Sequence, residues 1–461
     1  MAISQERKGT IAVSLTNFLD SGCIVASSCA MTIWAAAFGF DKVADPQQLW
    51  VAILGAIGAN AFGAAVGALI GGFLTDRFGR KLIYTYNLLV YAAGVFLCMI
   101  ALNLPMLVIG IILSGLSVGA GVPASWSYIS EMSSSTKRAS NIGISQFAWS
   151  CGPAIIFALS LIVSFIVPAF NANGALFPAG TYGPFDGVLG MRIIYAILFI
   201  VALIAWNLQR QLQESKDWAA KQKEAEKNKS KVGFGRMMLD ALKNPINLKT
   251  ILFLVAVYLT WNIVAGTQGQ FLPYMYQAVG GLNETQTSLL NMVTWILTAI
   301  GSLAIFAALG DRVPHRILFF VTAAMAVAAW GVMIFFGMQM EAGNANQWGW
   351  LLWVFSGLWG ISAGFSAQCF YALWSTELFP TRYRGGVQGI MFFLVRGVLG
   401  LWSLFVVAGL GVGTPNGFIT ASWIMTGILI VSLVVGVVGC PKTQGKTLDE
   451  ITKERYGKLD V

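Results

Sequence analysis

Charge is what this chain has least of. Of its 461 residues only 11% are charged, while 57% are hydrophobic. An average soluble domain carries about 25% charged residues, so that class is excluded. Histidine is almost missing, with His315 the single copy. It falls in a polar loop and is expected to be solvated rather than part of a proton relay. The six cysteines (23, 29, 98, 151, 369 and 440) show no metal or disulfide spacing and read as small apolar residues. No nucleotide-binding loop, metal cluster or nucleophile–base pair is visible. An enzyme is therefore the least supported class, and no metal or cofactor is expected. The net charge of +9 does not point to nucleic acid, because the cations lie in the loops of one side rather than in a patch or tail.

What is abundant is long apolar sequence. Runs of about 20 apolar residues are needed to cross a bilayer as helices, and these runs lack the alternation of barrel strands. Twelve spans are read: 11–38, 48–75, 82–103, 105–130, 140–168, 189–209, 249–276, 286–310, 317–339, 347–374, 386–411 and 417–439. The first is too long for a cleavable signal and contains Asp20. Arg77, Arg80, Lys81, Lys137, Arg138, Arg312, Arg316, Arg382 and Arg384 share one side, and the other holds little beyond Lys42 and Arg192. Both termini are therefore expected in the cytoplasm of a multi-pass protein of the plasma (bacterial inner) membrane. The predicted organisation is an all-α membrane protein with an N-terminal six-helix bundle (1–208), a linker (209–248), a second bundle (249–440) and a tail (441–461). The linker, rich in helix formers and mixed charge, is expected to be helical. The opposite-side loop at 169–188 is Gly/Pro-rich and expected to be irregular.

One stretch organises the rest: Gly71-Gly72-Phe73-Leu74-Thr75-Asp76-Arg77-Phe78-Gly79-Arg80-Lys81. Glycines at 67, 71 and 72 allow close helix approach, and Gly79 suits a tight turn. The pattern returns at Gly310-Asp311-Arg312-Val313-Pro314-His315-Arg316. Glu131 precedes Arg138 by seven residues, as Glu377 precedes Arg384. Two motifs in the same order in each half argue for internal duplication.

These motifs resemble the loop between the second and third helices of the major facilitator superfamily. Tyr128-Ile129-Ser130-Glu131, Glu377-Leu378-Phe379-Pro380-Thr381-Arg382-Tyr383-Arg384-Gly385 and the tail Pro441 to Glu450 are similar to its sugar-porter branch, and Gln213-Glu214-Ser215 to a Pro-Glu-Ser motif of that branch. The resemblance implies twelve helices in two pseudo-symmetric bundles. It implies secondary transport of a sugar, an inositol-like polyol or a sugar acid by alternating access. The partners it implies are a small polar substrate, a proton (with sodium as the alternative ion) and the lipid bilayer. No nucleic acid is expected, and the monomer is expected to suffice. It also implies a cytoplasmic gate of Asp76, Arg77, Arg80, Glu131, Arg138, Asp311, Arg312, Glu377 and Arg384. Gln146, eight residues after Arg138, matches a sugar-binding glutamine of the branch, and Val395 and Arg396 match its span-eleven site positions. Span seven departs from the pattern: it has Thr260, Trp261, Asn262, Gln268 and Gln270 where sugar porters carry a Gln-Gln pair. Span four lacks the basic residue of proton-coupled members.

Ionisable groups inside spans cost about 2.5–3.5 kcal/mol on insertion scales, so each is a functional candidate. Asp20 lies about 14 Å into span one and Arg396 about 15 Å into span eleven at 1.5 Å per residue. Asp20 is assigned proton coupling. Arg396 is expected to face either Asp20, favouring a neutral substrate, or a substrate carboxylate, as an organic-anion symporter would require. Gln146, Thr260, Asn262, Gln268, Gln270 and Gln368 offer groups for hydroxyls. Trp261, Phe370, Tyr371 and Trp374 offer flat faces for CH surfaces.

Overall fold

A computed structural model describes residues 5–38, 52–173, 189–210, 214, 234–343 and 345–457. Among these, eleven helices are long and apolar enough to cross a membrane. Spans one to six are α1 (Gln5–Phe38), α2 (Phe62–Phe78), α3 (Arg80–Ile100), α4 (Leu104–Met132), α5 (Arg138–Asn173) and α6 (Leu189–Gln209). A short helix, α7 (Phe234–Lys243), precedes span seven, α8 (Pro245–Ala278). Spans eight and nine are α9 (Glu284–Ile300) and α10 (His315–Glu341). Span ten is two pieces, α11 (Leu351–Gly364) and α12 (Ala367–Glu377). Spans eleven and twelve are α13 (Arg384–Leu404) and α14 (Pro415–Gly439), and a tail helix, α15 (Leu448–Tyr456), follows.

Helix starts are written in the local sequence. Asn103, Asn244 and Thr414 accept from the first-turn amides of α4, α8 and α14, each with proline at the start of the helix. Asn283 and Gln286 form a capping box on α9. Spans two, eight, ten and eleven depart from single regular helices, the last through a π-helical segment at Phe405–Gly409. The chain is helical over 52–57, leaves helix at 58–61 and resumes as α2. Span ten, read as continuous over 347–374, breaks at Phe365–Ser366. A π-helical segment, Gly301–Ala307, extends α9. Span five runs further than read, to Asn173; residues 174–188 and most of the expected linker helix lie outside the described residues.

Spans two and eleven, and five and eight, pack across the two halves. Small residues make this contact possible. A Cβ on Gly72 would lie 2.4 Å from the Gly385 carbonyl oxygen, and one on Gly389 2.4 Å from that of Ala68. Gly67 and Gly71 instead face Leu116 and Ala120 on α4.

Candidate functional site

The motif charges meet on the face that carries the basic loops. Glu131 accepts from Arg80 Nη2 at 2.8 Å and Arg384 Nη1 at 2.9 Å. Arg138 Nη1 donates to Glu377 Oε1 at 2.8 Å, and Arg80 lies 3.6 Å from Asp76. Two of the pairs, Arg384–Glu131 and Arg138–Glu377, join the two halves. Asp76 caps α13, accepting from Gly385 N at 3.1 Å and Gly386 N at 2.6 Å. Asp311 does the same for α5, accepting from Ala139 N at 3.1 Å and Ser140 N at 2.9 Å. Each duplicated acid thus sits on the positive end of a helix in the opposite half. At Asp311 burial raises the carboxyl pKa, against the lowering by these two amides. Glu214 caps α3 through Arg80 N and Lys81 N, both at 3.0 Å.

These ion pairs are dry: their side chains are 0–4% exposed. Motif spacing alone suggests partly wet pairs, each contributing only about 1 kcal/mol. Losing one partner of a buried pair instead costs about 3–5 kcal/mol. Arg77 and Arg312 are exposed and stand outside the cluster. His315 is buried rather than solvated: Trp374 Nε1 donates to its Nδ1 at 3.3 Å, and its Nε2 lies 3.1 Å from the Gly310 carbonyl.

Above this layer a cavity of about 60 Å³ lies between the halves. Small-molecule sites span ~300–1,000 Å³, so the halves must part further to admit a substrate. Gln146, Trp261, Asn262, Gln268, Gln368 and Arg396 all line it. Gln368 Nε2 donates to Gln146 Oε1 at 2.9 Å, spanning the halves. The break in span ten puts Gln368 at the first turn of α12. Trp261 and Trp359 stack with ring centroids 6.4 Å apart and planes 9° apart. Gln146 Nε2, Gln268 Nε2, Trp295 Nε1, Arg396 Nε and Asn262 Oδ1 are buried without hydrogen-bond partners.

Five of the expected site residues lie elsewhere. Thr260 Oγ1 is spent on the Ala256 carbonyl of its own helix at 2.7 Å. Gln270 lies off the cavity lining, its carbonyl accepting from Ser28 Oγ at 2.7 Å. Phe370 and Trp374 pack with Phe319 and His315, and Tyr371 stacks on Tyr258 at 4.2 Å. Phe370 and Trp374 turn into the core of the C-terminal bundle, whereas Tyr371 also meets Trp126 of α4 edge-on at 5.7 Å, between the halves. The cavity's other rings, Trp149, Trp295 and Trp359, and Asn60 have no sequence signal that separates them from packing residues.

Asp20 and Arg396 do not meet. Asp20 is fully buried, and neither carboxylate oxygen has a hydrogen-bond partner. It points toward α4, where a Cβ on Gly121 would lie 3.5 Å from its Oδ2. The next residue, Ser21, lines the cavity from the other face of α1. Equal depth along two helices does not fix facing, because 100° separates neighbouring side chains. Arg396 instead donates through Nη1 to the Asn60 carbonyl at 2.7 Å and to Asn60 Oδ1 at 3.3 Å, with its guanidinium 4.9 Å above the Phe392 ring.

Paired halves, an interface cavity and a mirrored charge layer are the marks of an alternating-access transporter, and similarity to known proteins agrees. The Major Facilitator Superfamily profile matches residues 13–404. The chain belongs to this superfamily. The minor myo-inositol transporter IolF of Bacillus subtilis (strain 168) is 39% identical over 455 residues, covering 98% of this chain and 94% of that protein. The arabinose-proton symporter of the same organism is 23% identical over 479 residues, covering 96% of this chain and 97% of that protein. The structure of the proton:xylose symporter XylE with 6-bromo-6-deoxy-D-glucose superposes with a TM-score of 0.74 at 17% identity, covering 98% of this chain and 99% of that one. That likeness is one of fold. This superfamily member is an integral membrane transporter with twelve helices in two bundles, not an enzyme.

Proposed function

We propose that this chain carries a polyol of the inositol class, or a similar sugar, in symport with protons. The observation that carries this reading is the set of unpartnered buried groups in the cavity: Gln146 Nε2, Gln268 Nε2, Trp295 Nε1 and Asn262 Oδ1. Donors and an acceptor in one small space suit ring hydroxyls, each of which both donates and accepts. The flat Trp261 and Trp359 rings suit the CH faces of the same molecule. The 39% identity to a myo-inositol transporter supports the polyol class. Asp20 is the proton site in this reading. It is the acid buried in α1, beside the cavity-lining Ser21 but facing away from the substrate. Coupling therefore runs through movement of α1 rather than through direct contact. The basic face is the cytoplasmic one, with both termini there and the protein in the plasma (bacterial inner) membrane. One chain, in the domain order read above, is the working unit.

Arg396 favours a second reading, a sugar acid or other organic anion. Its described partners are neutral oxygens, and its Nε is unpartnered in the cavity. A guanidinium so placed donates bidentately to a carboxylate. Binding separates the two. Quenching of the cavity tryptophans by myo-inositol but not by glucuronate supports the polyol, the reverse supports the anion, and quenching by neither removes both.

A further inference from the structure

Asn60, in the N-terminal half, reaches two helices of the C-terminal half through its side chain and backbone. It lies in the four-residue break at 58–61 that precedes α2. There the chain turns through Ala61 N donating to Gly58 O at 3.2 Å, and helical bonding resumes with Ala65 N to Ala61 O at 2.8 Å. The Asn60 carbonyl is thus free of the helix ladder and accepts from Arg396 Nη1 on α13 at 2.7 Å. Its side-chain oxygen takes the same nitrogen at 3.3 Å. Its side-chain nitrogen donates to the Gly266 carbonyl on α8 at 3.3 Å. All three contacts are buried. Asn60 lies 16 residues before Asp76 and Arg396 12 residues after Arg384, about 24 Å and about 18 Å from the charge layer at 1.5 Å per residue, toward the cavity's outer end.

We propose that Asn60 is the positioning residue that holds Arg396 and clamps the outer end of the cavity. Asn60 belongs to the N-terminal half, whereas Arg396 and Gly266 belong to the C-terminal half. Opening that end must separate the broken span two from α8 and α13, and the Asn60 contacts are what must then be given up. Neutral oxygens suit a closure that reopens every cycle. A carboxylate at this position would hold the guanidinium through a charge-assisted pair and release it slowly. Substrate groups reaching Arg396 Nε compete for the same guanidinium, so the residue that closes the outer end also senses occupancy. This last point rests on the cavity being the substrate site; the clamp itself does not.

The test uses a cysteine at Val25, which lines the cavity, in a background with the native cysteines replaced. Its reaction with a membrane-impermeant maleimide added from the outer side is timed without any substrate. Asn60→Ala removes the Oδ1 and Nδ2 contacts and should speed labelling by about tenfold, the scale of one hydrogen bond to a charged group. Asn60→Asp supplies a carboxylate to Arg396 and should slow labelling by a comparable factor. Opposite shifts from one position are not what general loosening of the fold produces, and thermal unfolding of both variants identifies a folding failure. Unchanged labelling in both, or acceleration in both, overturns the clamp. Because the readout needs no substrate, failure of the polyol reading leaves this result standing, and the converse also holds.

Discussion

At the scale of single residues, Gln146 and Gln368 are the pair to change first. They bond each other across the cavity at 2.9 Å, and Gln146 keeps an unpartnered Nε2. Losing one neutral hydrogen bond costs about 0.5–1.5 kcal/mol. Gln146→Ala should therefore raise KM for the transported polyol about 2- to 10-fold with little change in kcat, measured as initial uptake rates. Gln146 was legible in the sequence through its offset from Arg138. Trp295 and Trp359 were not, because an indole in a span reads the same whether it packs or lines a cavity. Asp20 was legible as a costly charge, but its direction was not. Its buried, unpartnered carboxylate predicts a specific split. Asp20→Asn should abolish accumulation against a gradient while substrate exchange across the membrane continues. Normal accumulation by that variant would remove Asp20 from the coupling.

At the scale of helices, function sits where regular structure fails. The break in span two delivers Asn60, and the break in span ten delivers Gln368. Neither was visible in the sequence. Gly58-Ala59-Asn60-Ala61 and Gly364-Phe365-Ser366 contain no proline and sit inside long apolar runs. The charge layer, in contrast, was legible residue by residue, because two motifs each repeat with fixed spacing. Its dryness was not, since burial depends on how four helix ends converge. Glu131 serves both Arg80 and Arg384. Glu131→Ala removes the carboxylate that two buried guanidinium groups share, a loss of about 3–5 kcal/mol and enough to shift a two-state equilibrium by more than about 100-fold. Cysteine labelling from the basic face should rise sharply in Glu131→Ala and less in Glu131→Gln, which keeps an acceptor. Equal, wild-type labelling of both variants would mean that the layer does not hold this face closed.

At the scale of the whole molecule, composition and span count were enough for the twelve-helix architecture. The repeated motifs gave the two-fold relation of the halves, because each duplicated acid caps a helix of the other half. The substrate was the least legible feature: hydroxyl-binding amides recur in many such transporters, and only the assembled cavity shows which are left unpartnered. The central claim is that this cavity moves a polyol on the proton gradient. Its most direct test is myo-inositol uptake into proteoliposomes of the purified protein, with an imposed pH gradient and without one. The account predicts accumulation above the external concentration only with the gradient, reversed by a protonophore and absent in Asp20→Asn. Uptake that merely equilibrates under both conditions, or no uptake of myo-inositol at all, would contradict it.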